Sequence, residues 1–487
     1  MKHLLYCVLV LVGLGACTPD VRVDVRWEEE SPFAGEYAGI VVPVNIAPLN
    51  FIPTDSLVFE SVLVLSGSGR RLVVRDKQGA FIPELKAWKA LLSSLRGKEI
   101  EVEHCVKTEQ GWASYRPFTI AVANEPIDPY LVYRLIPPGY EKWHEMGIYQ
   151  RNLENFEEQA VIANRQTDYN CINCHSFCDR DPDRMMLHMR AKHAGTLLIE
   201  QGGITKLDTK TDRTLSSLVY PYWHPGGQFI AYSVNDTKQL FHVNHSNRIE
   251  VIDYASDVVV YDVRRNELLT TPALFSKENM ETFPAFSADG TKLYFCSASN
   301  QNMPEDYEKV RYHLCCIDFD AETHSFGQQV DTLFHAEINR KSVSFPRVSP
   351  DGHFLLMTLS DYGNFSIWHQ EADLWMIDLR TGKTEAVDEW NSSSVESYHS
   401  WSSNGRWVVF SSRRGDGLYT RPYIAYMDHD GKAYKPFVLP QKEGGFYQRF
   451  MYSYNIPELV KGPVEVDNRR LVKQALDGEI IKVKELE

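Results

Sequence analysis

The chain has 487 residues and a formal net charge of −14, with 12% aromatic and 24% charged side chains. This length is enough for two or three domains, and the aromatic content supports a large core, which excludes wholesale disorder. The acidic balance, without a basic stripe to offset it, excludes nucleic acid as an expected partner.

The first residues have the pattern of an export signal. Lys2 precedes an apolar run over 4–14, which has the length of a signal-peptide core and is too short to span a bilayer comfortably. The run ends in "LGAC" (14–17), which resembles a bacterial lipoprotein box. We therefore predict a signal peptide over 1–17 and a lipid on Cys17 that anchors the protein to a membrane, at the periplasmic face or the cell surface of a Gram-negative bacterium. The alternative is an ordinary secretory signal in which Cys17 is incidental.

Residues 21–150 predict a small β-rich domain and a connector. Strand-like segments such as "GKEIEVEHCV" accompany one helical candidate over 82–95. The segment at 125–143 is rich in Pro and Tyr and is expected to run as an extended connector. A helix is then predicted over 152–165.

Four stretches of the chain repeat one pattern, which is an aromatic start, a turn that contains glycine, and an alternating apolar strand. They are "YPYWHPGGQFIAYSV" (220–234), "FPAFSADGTKLYFCSA" (283–298), "FPRVSPDGHFLLMTLS" (345–360) and "YHSWSSNGRWVVFSSR" (398–413). A unit of about four strands repeated in this way is a propeller blade. The sequence therefore predicts a mainly β fold with a β-propeller of about six blades, between five and seven, over 196–462. A charged, peripheral tail is expected over 463–487.

On these S-x-D/N-G turns and the strands that follow them, the chain resembles the TolB-like, WD-type family of six-bladed propellers. The first copy departs from the pattern, because Pro225-Gly226-Gly227 replaces the Asp-Gly turn.

The stretch "YNCINCHSFC" (169–178) contains a C-x-x-C-H motif. Covalent haem c needs two thiols about one helical turn apart and an imidazole directly after them. Cys171 and Cys174 would form the thioethers, and His175 would bind the iron. We therefore predict a short helical haem-binding segment over 151–195.

The segment "DPDRMMLHMRAKH" (181–193) contains the candidates for the sixth iron ligand. A helix that begins at its Asp-Pro pair would place Met185, His188 and Met189 on one face. His188 is the preferred ligand, and the two methionines are the next candidates. Arg190 would pair with a haem propionate.

Two other interpretations of the motif remain open. Cys171, Cys174, His188 and His193 have the spacing of a Cys2His2 zinc site, although this leaves His175 without a role. A disulfide or redox pair of the two cysteines is the third interpretation.

The run from "EPIDPYLVYRLIPPGYEKW" (125–143) through "NCINCHSF" (170–177) to the propeller turns resembles a family of Bacteroidetes-type exported proteins, which place one C-x-x-C-H segment before a TolB-like propeller. The resemblance implies a haem-bearing lipoprotein and no defined reaction.

The expected role is electron transfer or haem-dependent redox sensing, with the propeller face bound to a redox or envelope protein. The alternative is a non-catalytic envelope protein that recognises a protein or glycan and uses its Cys/His cluster as a zinc or disulfide site. An enzyme is less expected, because the sequence shows neither a G-x-S-x-G elbow nor a clear carboxylate pair.

Overall fold

The structure is a computed structural model that describes residues 21–54, 60–77, 79–138, 140–245 and 247–484. The predicted signal peptide and the predicted lipid site at Cys17 lie outside the described residues. Among the residues that are described, no helix is long and apolar enough to cross a membrane.

The N-terminal domain is one seven-stranded sheet covered by a helix, as the sequence predicted. Its elements are β1 (Val23–Glu30), α1 (Ala34–Tyr37), β2 (Val41–Val42), β3 (Ser61–Gly67), β4 (Arg70–Arg75), α2 (Leu85–Ser94), β5 (Glu99–Thr108), β6 (Gly111–Arg116) and β7 (Phe118–Val122). Helix α2 begins where the Glu84 carboxylate accepts hydrogen bonds from the free backbone N–H groups of Lys86 and Ala87. It buries Trp88, Leu91 and Leu92 against the sheet.

Six sheets of four or five strands follow, and each is one propeller blade. Blade 1 contains β8 (Tyr130–Ile136), β9 (Gly147–Asn152) and β10 (Glu158–Ala163), and blade 2 contains β11 (Ile172–Phe177), β12 (Arg184–Met189), β13 (Gly195–Glu200) and β14 (Gly203–Asp208). Blade 3 contains β15 (Val219–Trp223), β16 (Phe229–Phe241), β17 (Ile249–Asp262) and β18 (Glu267–Leu269), and blade 4 contains β19 (Asn279–Phe286), β20 (Lys292–Ser299), β21 (His313–Asp320) and β22 (Ser325–Phe334). Blade 5 contains β23 (Ser342–Val348), β24 (Phe354–Ser360), β25 (Asp373–Asp378) and β26 (Thr384–Ala386), preceded by α3 (Ala336–Asn339). Blade 6 contains β27 (Glu396–Trp401), β28 (Trp407–Ser412), β29 (Arg421–Tyr426) and β30 (Phe437–Val438), followed by α4 (Phe446–Arg449).

The ring is closed by a strand from the C-terminal part of the chain. Strand β31 (Ser453–Val460) pairs antiparallel with β8 and becomes the innermost strand of blade 1. The inner strands β31, β11, β15, β19, β23 and β27 contact one another in a closed circle. The six predicted blades are thus confirmed, and the ring is closed within blade 1 by hydrogen bonds between β8, its first strand in the chain, and β31 from the C-terminal part.

The propeller begins earlier than the sequence predicted. It starts at residue 130 instead of 196, and the segment 151–195 contributes strands to blades 1 and 2 instead of a helical haem-binding segment. The helices expected over 152–165 and 181–193 are strands. In β12, Met185–Met189 are buried on both faces, and a short, continuous apolar run of this kind does not distinguish a helix from a strand by its periodicity.

The C-terminal tail packs on the propeller, which corrects the expectation of a peripheral tail. Helix α5 (Asn468–Asp477) buries Leu471 and Ala475, which lie on one helical face at a spacing of four residues. The Lys206 Nζ donates a hydrogen bond to the Ala475 carbonyl at 2.6 Å. Strand β32 (Ile480–Lys482) then pairs with the outer edge of β14.

We expect the closing strand to control global stability. Tyr454 on β31 is fully buried, and its ring centroid lies 4.7 Å from that of Tyr133 on β8. Replacing Tyr454 by Ala removes this packing and should lower the free energy of unfolding by about 3–5 kcal/mol, as measured by chemical denaturation. The exposed neighbour Met451 serves as control, and M451A should change that free energy by less than about 0.5 kcal/mol. Equal effects of the two substitutions would show that β31 does not hold the ring together.

Candidate functional site: the central channel

Each of the six inner strands has the same irregularity, which is a bulge at a residue with positive φ. These residues are Cys174 (36°), Tyr220 (50°), Phe283 (48°), Phe345 (53°), Tyr398 (40°) and Ile456 (49°). At each one the register with the second strand shifts, as a bulge requires. The segments "CHSF" (174–177), "YPYW" (220–223), "FPAF" (283–286), "FPRV" (345–348), "YHSW" (398–401) and "IPEL" (456–459) are therefore six copies of one structural unit. The C-x-x-C-H motif overlaps the copy that belongs to blade 2.

The first residues of the six copies form what we call the channel ring. Four of them are aromatic and contact in order around the axis, with centroid distances of 4.6 Å from Tyr220 to Phe283, 4.5 Å from Phe283 to Phe345 and 4.4 Å from Phe345 to Tyr398. Cys174 lies beside the Tyr220 backbone, and burial raises the pKa of its thiol. Cys174 thus takes the place that an aromatic residue has in four other blades.

The second residues of the copies are proline in four blades and histidine in the other two, and both histidines lie against the preceding blade. The His399 Nε2 lies 3.0 Å from the Leu356 carbonyl oxygen of blade 5. His175 faces the equivalent backbone of blade 1 at Val132, because Val132 pairs with Glu458 as Leu356 pairs with Arg347. Burial lowers the pKa of both imidazoles to about 3. His175 is therefore a neutral side chain between two blades, as His399 is, but among the described residues neither of its ring nitrogens has a hydrogen-bond partner.

The candidates for a sixth iron ligand do not converge on His175. Met185 and Met189 pack into the core between blades 1 and 2, on the same side of the sheet as His175, whose pairing partner is Leu187. His188 lies on the opposite side, where its Nδ1 is 3.2 Å from the Thr196 hydroxyl, and burial lowers its pKa to about 4. The expected shared face of the methionines and His188 is wrong, because successive side chains of a strand alternate between its two faces. Arg190 is exposed, directly after this strand.

The described geometry does not fit covalent haem. Cys174 lies on the inner strand β11 and Cys171 directly precedes that strand, so the two cysteines do not share a helical turn. The Cys171 sulfur is 3.6 Å from the Arg134 Nη2. The His175 side chain is 0% exposed, so its ring nitrogens have no open side for a porphyrin iron. Haem c and its propionate partner Arg190 stay predictions from the motif, and the strand geometry argues against them.

The zinc alternative also lacks a convergent ligand set. Among the described residues, no three of Cys171, Cys174, His188 and His193 bring their ligand atoms within 4.8 Å of one another. The His193 Nε2 instead lies 3.0 Å from an Asp168 carboxylate oxygen.

The third residues of the copies face a cavity at the end of the channel where the glycine turns lie. They are Ser176, Tyr222, Ala285, Arg347, Ser400 and Glu458, and all except Ala285 line it. The cavity has a volume of about 150 Å³, and its outer part is lined by turn residues such as Ser287 and Pro350. We call it the channel cavity.

Four charged side chains line the channel cavity, and two of them, Asp179 and Arg180, pair with each other at 3.0 Å. The other two are Arg347 and Glu458. The Arg347 guanidinium lies over the Tyr222 ring at 5.1 Å, and its Nη1 donates to the Pro346 carbonyl at 2.8 Å. Within the described ranges, no carboxylate lies within 4.0 Å of it. The Glu458 Oε2 accepts a hydrogen bond from the Phe177 backbone N–H at 3.3 Å. Burial raises the pKa of Glu458 to about 7, against the opposing effect of Arg347, so this carboxyl exchanges a proton near neutral pH.

The sequence patterns did not indicate the residues of the channel cavity. Two of the six copies, "CHSF" and "IPEL", lack the aromatic start by which the repeat was found. An alignment of all six copies would have indicated Arg347 and Glu458, because they are the only charged residues at the third position.

The mass of the mature chain tests whether haem c is attached at the C-x-x-C-H motif. We expect the mature chain, produced in cells that attach haem c, to carry no porphyrin, because His175 is enclosed between two blades. Intact-mass spectrometry and the Soret absorbance measure this directly. A cytochrome c expressed in the same cells is the positive control, and an added porphyrin mass on the wild type that C171A/C174A removes would overturn the geometric argument.

We expect Glu458 to make stability depend on pH. Its pKa is about 7 in the folded chain and 4.5 for a free side chain, so the folded state binds more protons between these values and stability falls as pH rises through them. Replacement by Gln removes this titration, and E458Q should gain about 1–3 kcal/mol relative to the wild type between pH 5 and pH 8 in denaturant titrations. The exposed Glu337 provides the control, since E337Q should follow the wild-type profile. A parallel profile for E458Q would contradict the assignment.

The comparisons with known proteins concern the fold. No protein-family model and no curated protein matches the chain. Among similar solved structures is an oligogalacturonate lyase in complex with manganese, at 12% identity over 63% of this chain and 72% of that chain, with a TM-score of 0.37. A periplasmic gluconolactonase of Pseudomonas aeruginosa has 12% identity over 68% of this chain and all of its own, with a TM-score of 0.35. The β-propeller domain of the Trilobed protease from Pyrococcus furiosus has 9% identity over 68% and 79% of the two chains, with a TM-score of 0.32.

Proposed function

We propose that the protein is a ligand-binding β-propeller whose channel cavity takes up one small polar molecule. The observation that carries this proposal is the Arg347 guanidinium, which lines the cavity without a carboxylate partner in the part of the chain that the structure describes. A guanidinium removed from water is costly unless a counter-charge or hydrogen-bond acceptors satisfy it. A bound ligand would supply those acceptors.

The side chains of the cavity favour binding over covalent catalysis. The hydroxyls of Ser176 and Ser400 have no hydrogen bond to a histidine or carboxylate base within the described residues. The two nearby imidazoles, His175 and His399, are held neutral between blades and do not activate them. We therefore assign no reaction to the cavity.

The proposed location is the cell envelope, with the N-terminal lipid on Cys17 holding the propeller at a membrane surface. The support is the apolar segment that ends in "LGAC" (14–17). An envelope protein bound to the outside of the propeller remains compatible with a ligand in its channel. The intact-mass measurement described above also detects the lipid on Cys17.

A substitution that fills the channel cavity tests whether a ligand binds there. In S176Y a phenol should occupy the cavity, and the fold should tolerate it because Tyr222 has the equivalent position in blade 3. The wild type is screened by thermal denaturation against a library of small polar metabolites. We expect at least one compound to raise the midpoint by about 2 °C or more at 100 times its Kd, because it binds the folded state alone.

The matched control is S299Y, which adds the same side chain at an exposed position on β20. It should keep the ligand response, and S176Y should lose it while its unliganded midpoint stays close to that of the wild type. A ligand that stabilises S176Y as well as the wild type binds elsewhere, and a library without any ligand would refute the proposed function.

A further inference from the structure

We propose that the ligand of the channel cavity is a carboxylate about as large as one six-membered ring and that it carries hydroxyl groups. This inference rests on the proposed function and adds the chemical class of the ligand. It follows from the size of the cavity, from its cation, and from the hydroxyl and aromatic groups on its walls.

The volume limits the ligand to one ring. The cavity measures about 150 Å³. An apolar protein cavity of about that size accommodates one benzene molecule. A disaccharide or a peptide of several residues would have to extend past Ser287 and Pro350 into solvent, so the part that the cavity recognises is a single ring or a chain of equal size.

The cation selects a carboxylate. One edge of the Arg347 guanidinium is used by the Pro346 carbonyl, and the Tyr222 ring lies against its face at 5.1 Å. These contacts fix its plane and leave N–H groups for the cavity. The planar fork of a guanidinium matches the two oxygens of a carboxylate, and such charge-assisted pairs are about twice as strong as neutral hydrogen bonds.

The remaining walls suit a hydroxylated molecule. The Ser400 hydroxyl oxygen accepts from the Leu459 N–H at 3.3 Å, so its own proton is available to a ligand. Trp223 and Trp401 donate their indole N–H groups to the backbone of Ser176 and Arg347, which leaves their ring surfaces as apolar walls. Hydroxyl and carboxyl groups beside aromatic surfaces bind the polar edges and the C–H faces of one hydroxylated ring.

Glu458 makes the binding of the ligand depend on pH. The charged groups that share the cavity with Glu458 are Arg347 on β23 and Asp179 and Arg180 after β11. His175 on β11 is neutral, and its Nε2 lies 3.9 Å from the Glu458 Oε1. Below its pKa of about 7 the protonated Glu458 donates a hydrogen bond, and above it the carboxylate repels an anionic ligand. A carboxylate ligand should therefore bind more weakly as pH rises from 6 to 8.

Isothermal calorimetry with defined probes tests the class. The probes are D-glucuronate and quinate as hydroxylated ring acids, D-glucose as the neutral ring, and cyclohexanecarboxylate as the acid without hydroxyls. We expect a hydroxylated acid to bind at least about tenfold more tightly than glucose and cyclohexanecarboxylate, which is the range of one charged hydrogen bond. R347Q should lose at least about tenfold in affinity for the acid and leave the weak binding of glucose unchanged.

The controls separate this inference from the proposed function. R264Q removes an exposed arginine outside the cavity and should bind like the wild type, and E458Q should remove the pH dependence. If glucose binds as tightly as the acids, or if R347Q keeps the affinity, the ligand class is wrong while a cavity ligand remains. If library compounds raise the wild-type midpoint and none of the four probes binds, the ligand class is likewise wrong. If neither the probes nor the library bind, both proposals fail.

Discussion

The left-handed residue of each inner strand is the constraint on which the channel depends. A non-glycine residue with positive φ costs about 1–2 kcal/mol, and it persists only where the surrounding packing determines it. Here the packing is mutual, because the side chain of Phe345 at its own bulge contacts Phe283 on one side and Tyr398 on the other. Six bulges at one level of the propeller therefore stabilise one another. A single strand with this bulge would straighten without its neighbours.

The bulge also gives the three residues that begin there separate tasks. The first residues contact one another around the channel, the second residue lies against the preceding blade where it is histidine, and the third residue lines the cavity in five of the six blades. Proline suits the second position in four blades because the bulge leaves its missing N–H without a ladder partner. Histidine fills the same position in blades 2 and 6, where its imidazole lies against backbone carbonyls. Arg347 and Glu458 both occur at the third position.

This division explains why the C-x-x-C-H motif matches both a haem-attachment site and the bulge of an inner strand. Cys174 and His175 match the sequence pattern of a haem-attachment site. In "YHSW" (398–401), however, a histidine has the same structural position as His175, and no cysteine lies three residues before Tyr398. A short motif reports the identity and spacing of side chains, and haem attachment requires in addition a helical turn and an imidazole with an open side. In blade 2 the imidazole is instead enclosed between β11, which pairs only with β12, and the neighbouring blade 1.

The sequence alone determined the β-propeller class, the approximate number of blades and the β-rich segment that precedes them, because glycine turns and alternating apolar strands are local features that recur along the chain. It also located the segment around Cys174 as unusual. Only the tertiary structure decided that this segment is an inner strand, that β31 closes blade 1, and that Arg347 and Glu458 share a cavity. Those outcomes depend on pairing between segments up to 330 residues apart, as between Tyr130 and Val460, and no local pattern encodes such contacts.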